Sequence, residues 1–205
     1  VLMHMLAQVC DMKVGELVKN GVFWKLFLMM LCAGASEQGM SQWASAFAES
    51  SLHISKTVGD LAGPCSFAIM MGLSRAFYGK FGESIKLESF MNGSSILCII
   101  SYCLASLTSN PVFGLIGCAL CGLSVGIMWP GTFSIAAKSL RRGGTAMFAL
   151  LALAGDLGCG SGPAFVGYIS EARGGSLQKG LLAAVIFPVL LMCCNMGNFF
   201  RKVEK

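Results

Sequence analysis

The run SFMNGSSILCIISYCLASLTSNPVFGLIGCALCGLSVGIMWPGTFSIAA, Ser89 to Ala137, carries no charged residue. A spanning helix needs roughly 20 apolar residues, so the run holds two, divided by the turn chemistry of Thr108-Ser109-Asn110-Pro111. A second uncharged run extends from Gly180 to Phe200. Of the 205 residues 55% are apolar and 12% charged, with a mean hydropathy of +0.71; ordinary soluble domains carry about 25% charged residues. A water-soluble fold of this size could not keep so much apolar surface dry. The reading is an all-α, polytopic membrane protein, since helices satisfy their own backbone in lipid.

Working outward from that run, the sequence predicts six spans: Val22 to Phe47, Val58 to Gly79, Leu87 to Thr108, Pro111 to Ala137, Thr145 to Ser170 and Gly180 to Phe200. Residues 1–21 are then a cytoplasmic linker or interfacial segment, 22–200 the bundle, and 201–205 a cytoplasmic tail. Within the first part, Met12 to Asn20 reads either as a short amphipathic surface helix or as a polar linker. A chain that starts at Val rather than Met is expected to be a piece of something longer. Six spans put both termini on one side, and that side holds twelve Lys and Arg against three on the other, Lys56, Arg173 and Lys179. The positive-inside rule makes the richer side cytoplasmic, in a plasma or inner membrane.

Several classes of function fall away. Basic residues stand in small groups between apolar runs, not in an aromatic-interleaved patch, so nucleic acid is not an expected partner. Cys118 and Cys121 share a helical face, but no His or carboxylate accompanies them, and neither metal nor cofactor is expected. The histidines, His4 and His53, form no Ser/His/Asp grouping, and no Walker-type loop occurs. An enzyme is not expected.

Ionisable groups deep in a span are costly, which makes them informative. Two stand out, Glu37 and Asp156. On a helical wheel Glu37, Gln38, Ser41, Gln42, Ser45 and Glu49 fall within an arc of about 140°. That face must meet other helices or a watery cavity, and two readings stay open. It makes interhelical hydrogen bonds, or it replaces the water of a bound polar solute. Glu37 is a candidate to carry a proton, or else stands permanently paired. Trp43 falls nearly opposite the polar arc and is assigned to no site. Asp156, roughly 16 Å along its helix, has the small neighbours Ala149, Ala152, Gly160 and Pro163 and is read as structural or gating, with proton coupling as a further candidate role. The pairs Gly59/Gly63, Gly122/Gly126 and Gly158/Gly162 have the spacing of close helix contacts. Pro64, Pro130 and Pro163 predict bends.

The basic loop Arg141-Arg142-Gly143-Gly144-Thr145, with the Gly-rich helix through Gly155-Asp156-Leu157-Gly158 and Gly162-Pro163, resembles the fifth or eleventh helix of major facilitator superfamily transporters. The segment Gly72 to Gly82 resembles that superfamily's cytoplasmic gate motif, with Arg75, Gly79 and Gly82 in place; Ser74 stands where an Asp is usual, which weakens any charge relay there. The stretch Ala33-Gly34-Ala35-Ser36-Glu37-Gln38-Gly39 is similar to the sugar permeases related to the fucose–proton symporter. The resemblance implies that the six spans are two inverted three-helix repeats forming the C-terminal half of a transporter, with the N-terminal six-helix half as partner and the solute held between halves.

The expected function is secondary transport of a small polar solute, a sugar with proton coupling being the specific candidate, by alternating access. Glu37, Gln38, Ser41 and Gln42 are the candidate contacts, together with Trp129, which either offers an aromatic face to a sugar ring or packs at an interface. The alternatives are a non-transporting scaffold subunit and a half-size transporter working as a homodimer.

Overall fold

The computed structural model describes residues 12–52, 55–82, 84–108 and 110–203. Among these every regular element is helical: α1 (Val14–Val18), α2 (Gly21–Ser41), α3 (Ala44–Leu52), α4 (Lys56–Phe81), α5 (Leu87–Leu107), α6 (Pro111–Val125), α7 (Met128–Ser139), α8 (Gly144–Ala172), α9 (Leu177–Ala183) and α10 (Ile186–Val203). The expected breaks fall where the turn residues stand. Asn20 and Asn110 cap α2 and α6, each side chain accepting from the backbone N–H two residues on at 2.9 Å. Gly174 and Gly175 turn the chain after α8 with φ of +78° and +79°, a region glycine enters without steric cost.

Among the described residues four segments are long and apolar enough to cross a membrane: Leu87–Leu107, Val112–Ser139, Gly144–Ala172 and Leu177–Met196. The helices over the first two predicted spans, α2 with α3 and α4, fall outside that group; Glu37, Gln38 and Gln42 dilute the apolar run of the first. Exposed Leu61, Ile69, Ile100, Val112 and Leu153 give the bundle an apolar outer surface, which suits hydrocarbon and not water.

Three predicted spans are interrupted. Between α6 and α7 the helix breaks at Gly126-Ile127: Pro130 has no N–H to give the Gly126 carbonyl, so the regular i to i−4 bond is missing there. Pro188 has the same effect on Ala184, whose carbonyl instead accepts from the N–H of Phe187 at 3.1 Å, three residues on. The third break, at Gln42-Trp43, separates α2 from α3. By contrast α4 and α8 run through Pro64 and Pro163 as single helices.

Helix α2 packs along α8 and also meets α10, α7 and α6; α6 packs on α5 and α4. The three glycine pairs sit where their spacing predicts. Gly158 is pressed against the Leu31 carbonyl and Gly162 against Ala35, while Gly122 and Gly126 bring α6 onto the backbone of α4 at Phe67 and Met71. Gly59 and Gly63 approach Ala48 and Ala44 of α3. Buried Tyr102 of α5 ties the layers together by donating to the Ser36 carbonyl at 2.8 Å. Cys98, Cys118 and Cys121 are buried in this packing, with the Cys118 thiol 3.7 Å from the Met40 sulfur. The short helix α1 closes one end, with Leu17 buried and the Met12 N–H bonded to the Arg142 carbonyl at 2.7 Å.

Candidate functional site

The polar residues of α2 divide between two hollows. Glu37 faces one of about 420 Å³, shared with Arg75 of α4 and with Trp129, Pro130 and Phe133 of α7. Gln42 faces another of about 640 Å³, with Trp43, Pro163, Gly167, Tyr168 and Glu171. Five residues at 100° each put Glu37 and Gln42 roughly 140° apart on a helix, enough to aim them into different spaces. Gln38 bridges the two sides by accepting from Ser41 Oγ at 3.3 Å and from Gln42 Nε2 at 3.2 Å. Gln38, Ser41 and Gln42 therefore form a hydrogen-bonded ridge, and of the four candidates only Glu37 shares its hollow with Trp129.

Arg75 belongs with Glu37. The resemblance places it in a cytoplasmic gate motif; the structure brings its side chain to the hollow that Glu37 lines. Its Nε–H also donates to the Gly126 carbonyl at 3.1 Å, the acceptor that Pro130 leaves without a helical partner. Buried Ser74 packs beside Gly126. The two motif glycines take no part in this contact: Gly79 is exposed with open space around it, and Gly82 ends α4.

Trp129 is half-buried, its ring laid over Gly155 of α8 and edge-on to Phe133 at 6.3 Å. Its indole N–H is buried without a hydrogen-bond partner. Pro130 stands next to it, so the break in the fourth predicted span is also what turns α7 toward the hollow.

Asp156 is exposed on the open side of α8, in line with Gly160 and Ala164. Small residues do bring another helix close to α8, but the helix is α2 and the residues are Gly155, Gly158 and Gly162, not the set around Asp156. Trp43 stands four residues after Gly39 and eight after Ala35 and continues the face of α2 that packs on α8. Its indole donates to the Pro163 carbonyl at 3.0 Å, and its ring lines the second hollow. Sequence reasoning missed this residue, and it also missed Tyr168 and Glu171, which carry no motif. Among the described residues no group of three His, Cys, Asp or Glu could hold a metal ion.

The apolar bundle is thus broken beside a hollow that joins a carboxylate, a guanidinium and an indole. Residues 7–163 match the family model of the Major Facilitator Superfamily, and the chain belongs to that superfamily of multi-pass membrane transporters, which are not enzymes. No curated protein matches the chain.

Proposed function

We propose that the chain moves a small polar solute across the membrane by alternating access, with the Glu37–Arg75–Trp129 hollow as part of the solute path. The observation that carries the reading is the convergence of those three side chains from α2, α4 and α7 on one space of about 420 Å³. An acceptor, a fork of donors and an aromatic face are the groups that replace water around a sugar hydroxyl set. The finer reading is a sugar carried with a proton, Glu37 being the group that takes it. The Gln38-Ser41-Gln42 ridge forms the edge of the path, and Asp156 belongs to the face that meets a partner.

Six spans arranged as two inverted repeats of three remain the reading of the bundle. Helix pairing supports it. Exchanging spans one to three with four to six turns the contact of α2 on α8 into that of α6 on α4, and α2 on α10 into α6 on α5, and all four contacts are present. The open side of α8, with Asp156, Gly160 and Ala164, is where an N-terminal six-helix half would seat. Both termini of the segment are then cytoplasmic.

The test is uptake of a panel of radiolabelled hexoses and other polar solutes by proteoliposomes containing the intact protein, with and without an inward proton gradient. Gradient-driven accumulation is expected, with Glu37→Gln retaining exchange of solute but losing accumulation. Accumulation that ignores the gradient would overturn proton coupling. Uptake unaltered in both Glu37→Gln and Arg75→Gln would take the hollow out of the solute path.

A further inference from the structure

A third hollow, an apolar groove of about 610 Å³, lies among α4, α5 and α6. Leu73 and Phe77 of α4, Phe90, Gly93 and Leu97 of α5, and Leu123 of α6 line it. Leu73 and Phe77 stand about 200° around the helix from Arg75, so the groove opens on the side of α4 away from the Glu37 hollow. Both residues are exposed. Three serines, Ser74, Ser89 and Ser94, also line it, but the wall is mostly hydrocarbon and carries no charged group.

Each wall ends on a lysine at the α4–α5 connection. On α4 a chain of rings leads out of the groove: Phe90 stacks on Phe77 with centroids 6.2 Å apart, Phe77 meets Phe81 at 5.0 Å, and Lys80 Nζ stands 5.3 Å over the Phe81 ring. On α5 the lining residues Phe90, Gly93 and Leu97 share one helical face, and Lys86 is the residue that opens this helix at its N-cap. Lys80 and Lys86 are both exposed. Hydrocarbon-lined space with two cations at one end is complementary to a lipid tail under an anionic headgroup.

We propose that this groove holds one acyl chain of an anionic phospholipid, with the headgroup phosphate on Lys80 and Lys86. The site needs only that the chain is embedded in a bilayer, and it stands or falls independently of the solute reading.

The experiment places the intact protein in phosphatidylcholine vesicles doped with a phosphatidylglycerol that carries a photoreactive diazirine on its acyl chain. The reference is the same diazirine on phosphatidylcholine. Labelling is expected within residues 73–81 and 89–97, with the anionic probe favoured. Lys80→Gln and Lys86→Gln should each lower that preference roughly fivefold, the worth of one surface lysine near anionic lipid. Gly93, which has open space around it, takes the blocking substitution: Gly93→Trp should remove labelling by both probes. Equal labelling by the two probes in the wild type, or a preference unchanged in the double lysine variant, would overturn the site. Crosslinks from these segments to a second polypeptide in place of lipid would overturn it in favour of a protein interface.

Discussion

The indole of Trp129 lies directly over Gly155: a Cβ placed on Gly155 would come within 2.5 Å of the ring. Glycine at this point of α8 is therefore what lets the ring of α7 settle beside the Glu37 hollow. Gly155→Ala should push the indole outward at a cost of about 1–3 kcal/mol, the usual range for overpacking. In a background of Trp24→Phe and Trp43→Phe, the remaining tryptophan emission reports the displacement. Emission identical to that of the same background with Gly155 intact would show that the ring does not rest there.

Arg75 and Pro130 should be coupled through the Gly126 carbonyl, which Arg75 satisfies because Pro130 cannot. Arg75→Gln leaves a carbonyl at a buried residue without its donor, a loss of about 1–3 kcal/mol. Adding Pro130→Ala restores an N–H at the helical position and should return part of that loss. Thermal unfolding of the four proteins in detergent completes the double-mutant cycle. Strictly additive effects would mean that the two residues do not share that acceptor.

Glycine substitutions should differ in sign with their surroundings. Gly158→Ala drives a methyl into the Leu31 carbonyl and should destabilise the α2–α8 contact, the backbone having no side chain to move aside. Gly72→Ala meets nothing within 4 Å and should stabilise by up to about 1 kcal/mol through helix propensity alone. Similar unfolding temperatures for the two variants would contradict the close packing of α2 on α8.

Tyr102→Phe removes one hydrogen bond between α5 and α2 while keeping the ring that fills the core. A loss of about 1 kcal/mol follows for a buried neutral bond. A stability unchanged from wild type would mean that the hydroxyl is not engaged with Ser36.

The class of the molecule was legible in the sequence because lipid imposes a harsh filter: uncharged runs as long as Ser89 to Ala137 have few other uses. The small-residue contacts were legible too, since Gly122/Gly126 and Gly158/Gly162 repeat at the helical period. The polar residues of α2 were found for the same reason, as cost marks them.

Their grouping was not. A wheel puts Trp43 opposite the polar arc, and only the packing of that side of α2 on α8 shows that Trp43 also lines a hollow. The sequence by itself determined that the chain is helical, membrane-embedded and built on glycine contacts, because those properties follow from composition and local period. Only the tertiary structure decided that Arg75 serves the same space as Glu37 and Trp129 while Gln42 serves another. Residues 37, 75 and 129 meet because α2, α4 and α7 are packed by other residues, and no local pattern records where three separate helices will bring their side chains together.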